Sequence, residues 1–147
     1  MSDFIVDASV VAKWFLMESD SDRARSLIRK HHSLRAPDLL LPEVANVFWK
    51  RAQRRELTSA ELETILQMLL EDHIDVTVRL LPSRILLKQA WKIALAERRS
   101  VYDSLYLASA VQARCKLVTA DDRFIRSITD PNLQSHVISL RSPALAN

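Results

Sequence analysis

Residues 4–9 of the chain read FIVDAS, a short β-rich run that ends in an aspartate. A helical pattern follows from Val10 to Met17, so the chain opens as a strand, an acidic residue and a helix. In an open parallel sheet, a side chain directly after a strand lies at the edge where ligands bind. Asp7 is therefore the first candidate functional residue, and the other acids that follow strands become candidates for the same reason.

Strand-like and helix-like segments alternate along the rest of the chain. Further strands are predicted over residues 34–39, 74–78, 116–119 and 136–140. Helices are predicted over residues 20–31, 42–55, 58–69, 83–98, 102–114 and 122–128. This alternation indicates βαβ units, and hence a three-layer α/β/α sandwich with a central, mostly parallel sheet. The tail beyond residue 140 is expected to fray.

Length and composition predict a single domain over residues 1–147. The chain is 48% hydrophobic and 27% charged, which is ordinary for a protein with a buried core. No apolar run approaches the roughly 18 residues of a membrane span, and Met1-Ser2-Asp3 lacks the basic start of a signal peptide. We therefore expect a cytoplasmic protein without a membrane partner.

Two residue types are informative because they are so scarce. The sequence has no glycine, which excludes the P-loop, the dinucleotide-binding fingerprint and the G-x-S-x-G nucleophile elbow. Its single cysteine, Cys115, excludes an internal disulfide framework and a multi-cysteine zinc or iron–sulfur site. The balance of 21 basic against 18 acidic residues permits a nucleic-acid partner without requiring one.

Four acidic residues occupy strand ends or helix starts: Asp7, Glu43, Asp103 and Asp121. Each has an ordinary structural explanation, because an acid near a helix N-terminus complements the helix dipole. Four carboxylates at one sheet edge, however, would repel one another unless a cation lies among them. An all-carboxylate ligand set favours Mg²⁺, with Mn²⁺ as the alternative, and disfavours zinc.

Four segments resemble, in order and spacing, the signature blocks of PIN-domain ribonucleases of the VapC toxin type. They are residues 5–10 (IVDASV), 41–46 (LPEVAN), 102–108 (YDSLYLA) and 117–124 (LVTADDRF). The resemblance implies an α/β/α fold and a metal-dependent endoribonuclease that hydrolyses RNA phosphodiester bonds as the toxin of a toxin–antitoxin pair. It also implies a homodimer and a cognate antitoxin protein that covers the site.

The resemblance assigns the catalytic, metal-binding role to Asp7, Glu43, Asp103 and Asp121. It places Thr119 and Ser9 beside the metal as polar support. Asp122 stays open between two roles, because the T-x-D pattern selects Asp121 for the site whereas the capping-box spacing from Thr119 selects Asp122 for a helix start.

RNA binding would need cations near these acids. The candidates are Lys13, beyond Asp7, and Arg123 and Arg126, which neighbour Asp121. The denser basic run at residues 50–55 is interpreted as a solvated helix end, where cations suit the helix dipole.

Two alternatives compete with the ribonuclease hypothesis. One is a non-catalytic PIN-like module that binds RNA or a partner; the presence of all four acids argues against it. The other is a phosphoacceptor signalling domain. That reading needs an acidic neighbour beside Asp7 and a lysine after a late strand, whereas Lys116 precedes its strand. Cleavage in Mg²⁺, a phosphoaspartate, or binding alone would separate the three.

Overall fold

A computed structural model of the protein describes residues 2–30 and 32–146. Its centre is a five-stranded sheet, formed by β1 (Asp3–Val6), β2 (Ser33–Pro37), β3 (Val78–Leu81), β4 (Lys116–Thr119) and β5 (Val137–Ser139). All neighbouring strands pair in parallel, in the order β3-β2-β1-β4-β5. The chain therefore winds outward from β1 to β3 and then returns to the other side of β1 with β4. This reversal makes the carboxyl ends of β1 and β4 a topological switch point, where open α/β sheets place their ligands.

Helices cover both faces of the sheet. They are α1 (Ala8–Ala12), α2 (Ser21–Arg29), α3 (Leu40–Gln53), α4 (Ser59–Met68), α5 (Ser83–Glu97), α6 (Val101–Ala113), α7 (Asp122–Ser127) and α8 (Pro131–Gln134). A wide turn over Leu69–His73 continues α4, and a single 3₁₀ turn, Pro143–Leu145, lies near the end of the chain.

The core has two layers because successive β1 side chains point to opposite faces of the sheet. Phe4 and Val6 pack on one side with the cluster that includes Phe48 of α3. Ile5 packs on the other side with Leu86 of α5 and residues of α6. β1 is thus buried on both faces, which explains its continuous apolar run and confirms the predicted α/β/α sandwich.

Two predicted segments differ from the structure. The 74–78 strand is wrong for most of its length, since β3 begins at Val78 and Ile74 makes only an isolated bridge. Its apolar alternation belongs instead to a turn in which Asp75 adopts φ 63° and the Val76 side chain is 75% exposed. The C-terminal tail is ordered against the body, because Leu145 is buried and its carbonyl accepts a hydrogen bond from Lys30 Nζ at 2.9 Å.

Two helix predictions also change. α1 ends at Ala12, and residues 13–15 continue it as a looser turn, so the helix predicted through Met17 is shorter. α8 has no counterpart among the predictions; it begins at Pro131, which suits a first helical position, and Asp130 caps it through Asn132 N at 2.8 Å. Within the described part of the chain, none of the helices is long and apolar enough to cross a membrane.

Candidate active site

A cavity of about 170 Å³ opens at the carboxyl edge of the sheet, beside the ends of β1 and β4. The four sequence-predicted acids line it: Asp7, Glu43, Asp103 and Asp121. Each comes from a different segment, so the fold brings together side chains that are up to 114 positions apart in sequence. We call this the acid cavity.

Asp7 occupies the position between β1 and α1. Its Oδ1 accepts hydrogen bonds from Val10 N at 3.2 Å, as the cap of α1, and from Ser9 Oγ at 2.6 Å. Burial raises the pKa of the Asp7 carboxyl to about 6, and the negative charge of Glu43 adds to this rise. Hydrogen bonds from Ser9, Thr119 and Val10 oppose it only in part. The site is thus unfavourable for an uncompensated carboxylate.

Ser9 and Thr119 lie where the sequence predicted polar support. The Ser9 hydroxyl accepts from Ala120 N at 3.1 Å, and the Thr119 hydroxyl accepts from Asp121 N at 3.1 Å. The two hydroxyl oxygens are 3.5 Å apart, and Thr119 is fully buried. Together they join the end of β1 to the end of β4.

Glu43 lies in the first turn of α3 and is half-buried. Tyr106 of α6 donates its phenol hydrogen to Glu43 Oε1 at 2.6 Å. Burial raises the pKa of Glu43, the tyrosine bond opposes this, and the charge of Asp103 adds to it. The sequence analysis gave Tyr106 no role at the acids; its spacing of three residues from Asp103 on one helix was the available signal that it faces the site.

Asp103 lies in the first turn of α6. Its backbone N–H donates to Ser100 Oγ at 3.1 Å, so Ser100 caps α6. Burial raises the pKa of the Asp103 carboxyl; the positive charge of Arg99 lowers it and the negative charge of Asp121 raises it. Arg99 is a neighbour of the acids that the sequence analysis did not identify.

Asp121 and Asp122 have separate roles. Asp121 caps α7, with Oδ1 accepting from Phe124 N at 3.0 Å, and it lines the acid cavity. Asp122 accepts from Ser139 Oγ at 2.6 Å and pairs with Arg141 Nη1 at 2.9 Å, contacts that lower its pKa. Asp122 is therefore engaged with β5 and the chain beyond it, and the capping box predicted from Thr119 does not form because Asp121 caps the helix.

The candidate RNA-binding cations lie outside the acid cavity's lining. Lys13 pairs with Glu18 at 3.0 Å and donates to the Ser19 carbonyl at 2.9 Å. Arg123 and Arg126 are exposed on α7. Arg123 follows Asp121 by two residues, and neither arginine lines the cavity.

The acid cavity has the donor chemistry of a divalent-cation site, with carboxylate oxygens from four segments and Asp7 and Glu43 destabilised as anions by burial. Across residues 2–30 and 32–146, however, no three His, Cys, Asp or Glu side chains are placed to hold a metal ion as they stand. The residues fit such an ion in the chemistry of their donor atoms.

The PIN domain family model matches residues 4–127 of this chain. The chain belongs to the PIN-domain family. This PIN domain is 34% identical over 117 residues to Ribonuclease VapC3 of Pyrobaculum aerophilum, a match that covers 80% of this chain and 88% of that protein.

Two solved structures share its fold. PAE2754 from Pyrobaculum aerophilum superposes with a TM-score of 0.64 at 19% identity, covering 99% of this chain and 93% of that one. The Mycobacterium tuberculosis toxin VapC20, described as cleaving the sarcin–ricin loop, superposes with a TM-score of 0.59 at 15% identity, covering 90% and 93%. At these identities the likeness establishes the PIN fold of this chain.

Proposed function

We propose that the protein is a metal-dependent endoribonuclease that hydrolyses RNA phosphodiester bonds as the toxin of a toxin–antitoxin pair. The observation that carries this proposal is the acid cavity, in which four carboxylates from four segments meet at the switch point of the sheet. The 34% identity to Ribonuclease VapC3 over most of the chain supports the same activity.

We assign the metal-binding role to Asp7, Glu43, Asp103 and Asp121, with Mg²⁺ as the expected ion and Mn²⁺ as its substitute. When bound, such an ion supplies an activated water and neutralises charge on the scissile phosphate. The raised pKa values of Asp7, Glu43 and Asp103 support this assignment, because a cation would relieve the cost of keeping these buried carboxyls ionised.

Neighbouring hydroxyl and backbone N–H groups hold the carboxylates in position before substrate binds. Ser9 and Val10 N–H orient Asp7, and Phe124 N–H orients Asp121. Tyr106 holds one oxygen of Glu43 and leaves the other free to orient the attacking water or to complete the metal shell. Such preorganisation lowers the cost of reaching the reactive geometry.

RNA would approach over exposed cations at the edge of the acid cavity. Arg123 and Arg126 on α7 are the proposed phosphate contacts. Lys13 is the weaker candidate, since it would have to give up Glu18 and the Ser19 carbonyl. The proposed partners are RNA, a second copy of the chain, and an antitoxin protein whose arginine could replace the cation among the acids.

The adjacent residues Asp121 and Asp122 provide a matched test. We expect wild-type protein to cut a structured RNA in Mg²⁺ and to lose this activity in EDTA. Asp121→Asn should reduce the cleavage rate by about 100-fold or more, since second-sphere changes at metal sites already cost about 10–100-fold. Asp122→Asn should cleave at close to the wild-type rate, because Asp122 binds Ser139 and Arg141 instead.

Gel analysis of the cut RNA, with melting curves for both variants, separates the outcomes. Cleavage that persists in EDTA, or equal rates for Asp121→Asn and wild type, would overturn the proposal. RNA binding without cleavage would instead support a non-catalytic module, and a stable phosphoaspartate a signalling domain.

A further inference from the structure

The connection between α5 and α6 makes direct contacts with the segment that follows Asp121. Arg99 Nη2 donates to Ser127 Oγ at 2.9 Å, and the guanidinium carbon of Arg99 lies 4.9 Å from the centre of the Phe124 ring. Glu97, two residues earlier, accepts hydrogen bonds from the backbone N–H groups of Thr129 at 3.0 Å and Asp130 at 2.8 Å. We call Glu97 and Arg99 the corner clasp.

The corner clasp connects two walls of the acid cavity. Two residues after Arg99, helix α6 begins, and its first turn carries Asp103. On the other side, Phe124 lines the cavity, stacks under Arg99, and donates its backbone N–H to Asp121. A direct path of contacts therefore runs from the start of α6 through Arg99 and Phe124 to the Asp121 carboxylate.

Helix α7 is short and is held from two sides. It has six residues, all of them described, and none of its side chains is fully buried. Ser139 and Arg141 hold Asp122 on the β5 side. On the side of the α5–α6 connection, the Arg99 guanidinium stacks on the Phe124 ring and donates to the Ser127 hydroxyl. Arg99 is half-buried, and its Nε is buried without a hydrogen-bond partner among the described residues.

We infer that Arg99 is a positioning residue, which fixes α7 against the start of α6 and thereby sets the separation of the Asp103 and Asp121 carboxylates. The inference rests on the proposed function insofar as those carboxylates hold a metal. Partners of this kind change metal affinity or activity by about 10–100-fold when removed. Arg99 then acts on the metal-binding step, and its effect on the binding of RNA itself is small.

The neighbouring arginine offers a matched control. Arg98 is exposed, and its loss removes the same charge without touching α7. We expect Arg99→Gln to weaken Mn²⁺ binding by the RNA-free protein, measured by calorimetry, by about 10–100-fold relative to Arg98→Gln. In cleavage assays Arg99→Gln should raise the half-saturating Mg²⁺ concentration and lower kcat at fixed Mg²⁺, with KM for RNA unchanged.

A second pair of substitutions, with smaller structural effects, keeps the test valid if Arg99→Gln fails to fold. Ser127 and Ser135 are both exposed and both donate to a carbonyl three residues earlier, but only Ser127 accepts from Arg99. Ser127→Ala should weaken Mn²⁺ binding in the same direction and by less, Ser135→Ala should not, and Arg99→Lys should restore part of the loss.

Two other outcomes would decide against the inference. Equal Mn²⁺ affinities within both pairs would overturn it, and a raised KM for RNA with intact Mn²⁺ binding would make Arg99 a substrate contact instead. If wild-type protein binds Mn²⁺ but cuts no RNA, the proposed nuclease function fails while the calorimetric comparison of Arg99 with Arg98 still decides this inference.

Discussion

Helices α4 and α6 begin with the same local pattern and use it differently. At α4, the Thr58 hydroxyl accepts from Glu61 N at 3.1 Å and the Glu61 carboxylate accepts from Thr58 N at 2.7 Å, so the capping box is closed. At α6, where all the residues involved are described, Ser100 accepts from Asp103 N at 3.1 Å but the return bond is not formed. The Asp103 carboxylate therefore takes no part in capping α6.

The difference shows how a site is made from an ordinary helix start. Glu61 is exposed and its carboxylate is satisfied by its own helix, on a helix with no fully buried side chain. Asp103 is half-buried at the acid cavity, and burial raises the pKa of its carboxyl. One acid stabilises its helix, whereas the other carries a charge that its surroundings disfavour, as is common at functional sites.

Neutralising Asp103 or Glu61 gives the largest expected difference in the rate of RNA cleavage. Asp103→Asn should lower the rate of RNA cleavage by about 100-fold, because it removes a proposed metal ligand while keeping the side-chain shape. Glu61→Gln removes the same charge from the closed box and should leave the cleavage rate unchanged. Single-turnover cleavage at saturating RNA measures both.

The stability of the same two variants provides the control. Asp103→Asn should fold with at least wild-type stability in EDTA, since it removes a half-buried carboxylate. If Asp103→Asn cleaves RNA at the same rate as Glu61→Gln, the fact that the Asp103 carboxylate takes no part in the cap of α6 has no functional consequence.

Asp7 extends the comparison to pH. Its folded pKa of about 6 lies above the unfolded value of about 3.9, so the folded protein binds more protons between these values and stability falls as pH rises through that window. Two pKa units correspond to up to about 3 kcal/mol. Above about pH 7 in EDTA, Asp7→Asn should therefore raise the free energy of unfolding by up to that amount, and the gain should vanish near pH 4.

Urea titrations at both pH values measure this difference. The exposed Glu61→Gln variant is the reference, since its carboxylate is satisfied in a closed box. A stability gain for Asp7→Asn that is the same at pH 4 and pH 8 would contradict a burial cost for the Asp7 charge.

The sequence pattern predicted four of the five strands, the four acids and the hydroxyls of Ser9 and Thr119, but not the contacts of Tyr106 and Arg99. β1 and β4 are short apolar segments, because a parallel strand buried on both faces requires apolar side chains. The 74–78 segment alternates apolar and polar residues as a half-buried strand does, yet most of it forms a turn, because alternation over five residues does not by itself fix a strand. Local spacing places Tyr106 on the same helix face as Asp103, but its bond to Glu43 and the contacts of Arg99 with α7 depend on tertiary packing.

The smallest expected effects come from removing the N-cap hydroxyls of Thr58 and Ser100. Thr58→Ala should lower the free energy of unfolding by about 1 kcal/mol, and Ser100→Ala by a similar or smaller amount because its box has one bond instead of two. The two variants are thus expected to have similar stabilities but different cleavage rates. Ser100→Ala loosens the turn that carries Asp103 and should reduce the rate of RNA cleavage severalfold. Thr58→Ala should leave the rate unchanged. Chemical denaturation and cleavage rates on the same preparations test this. If both substitutions lower stability equally and neither changes cleavage, the Ser100 cap supports the helix alone and does not help to position the Asp103 carboxylate.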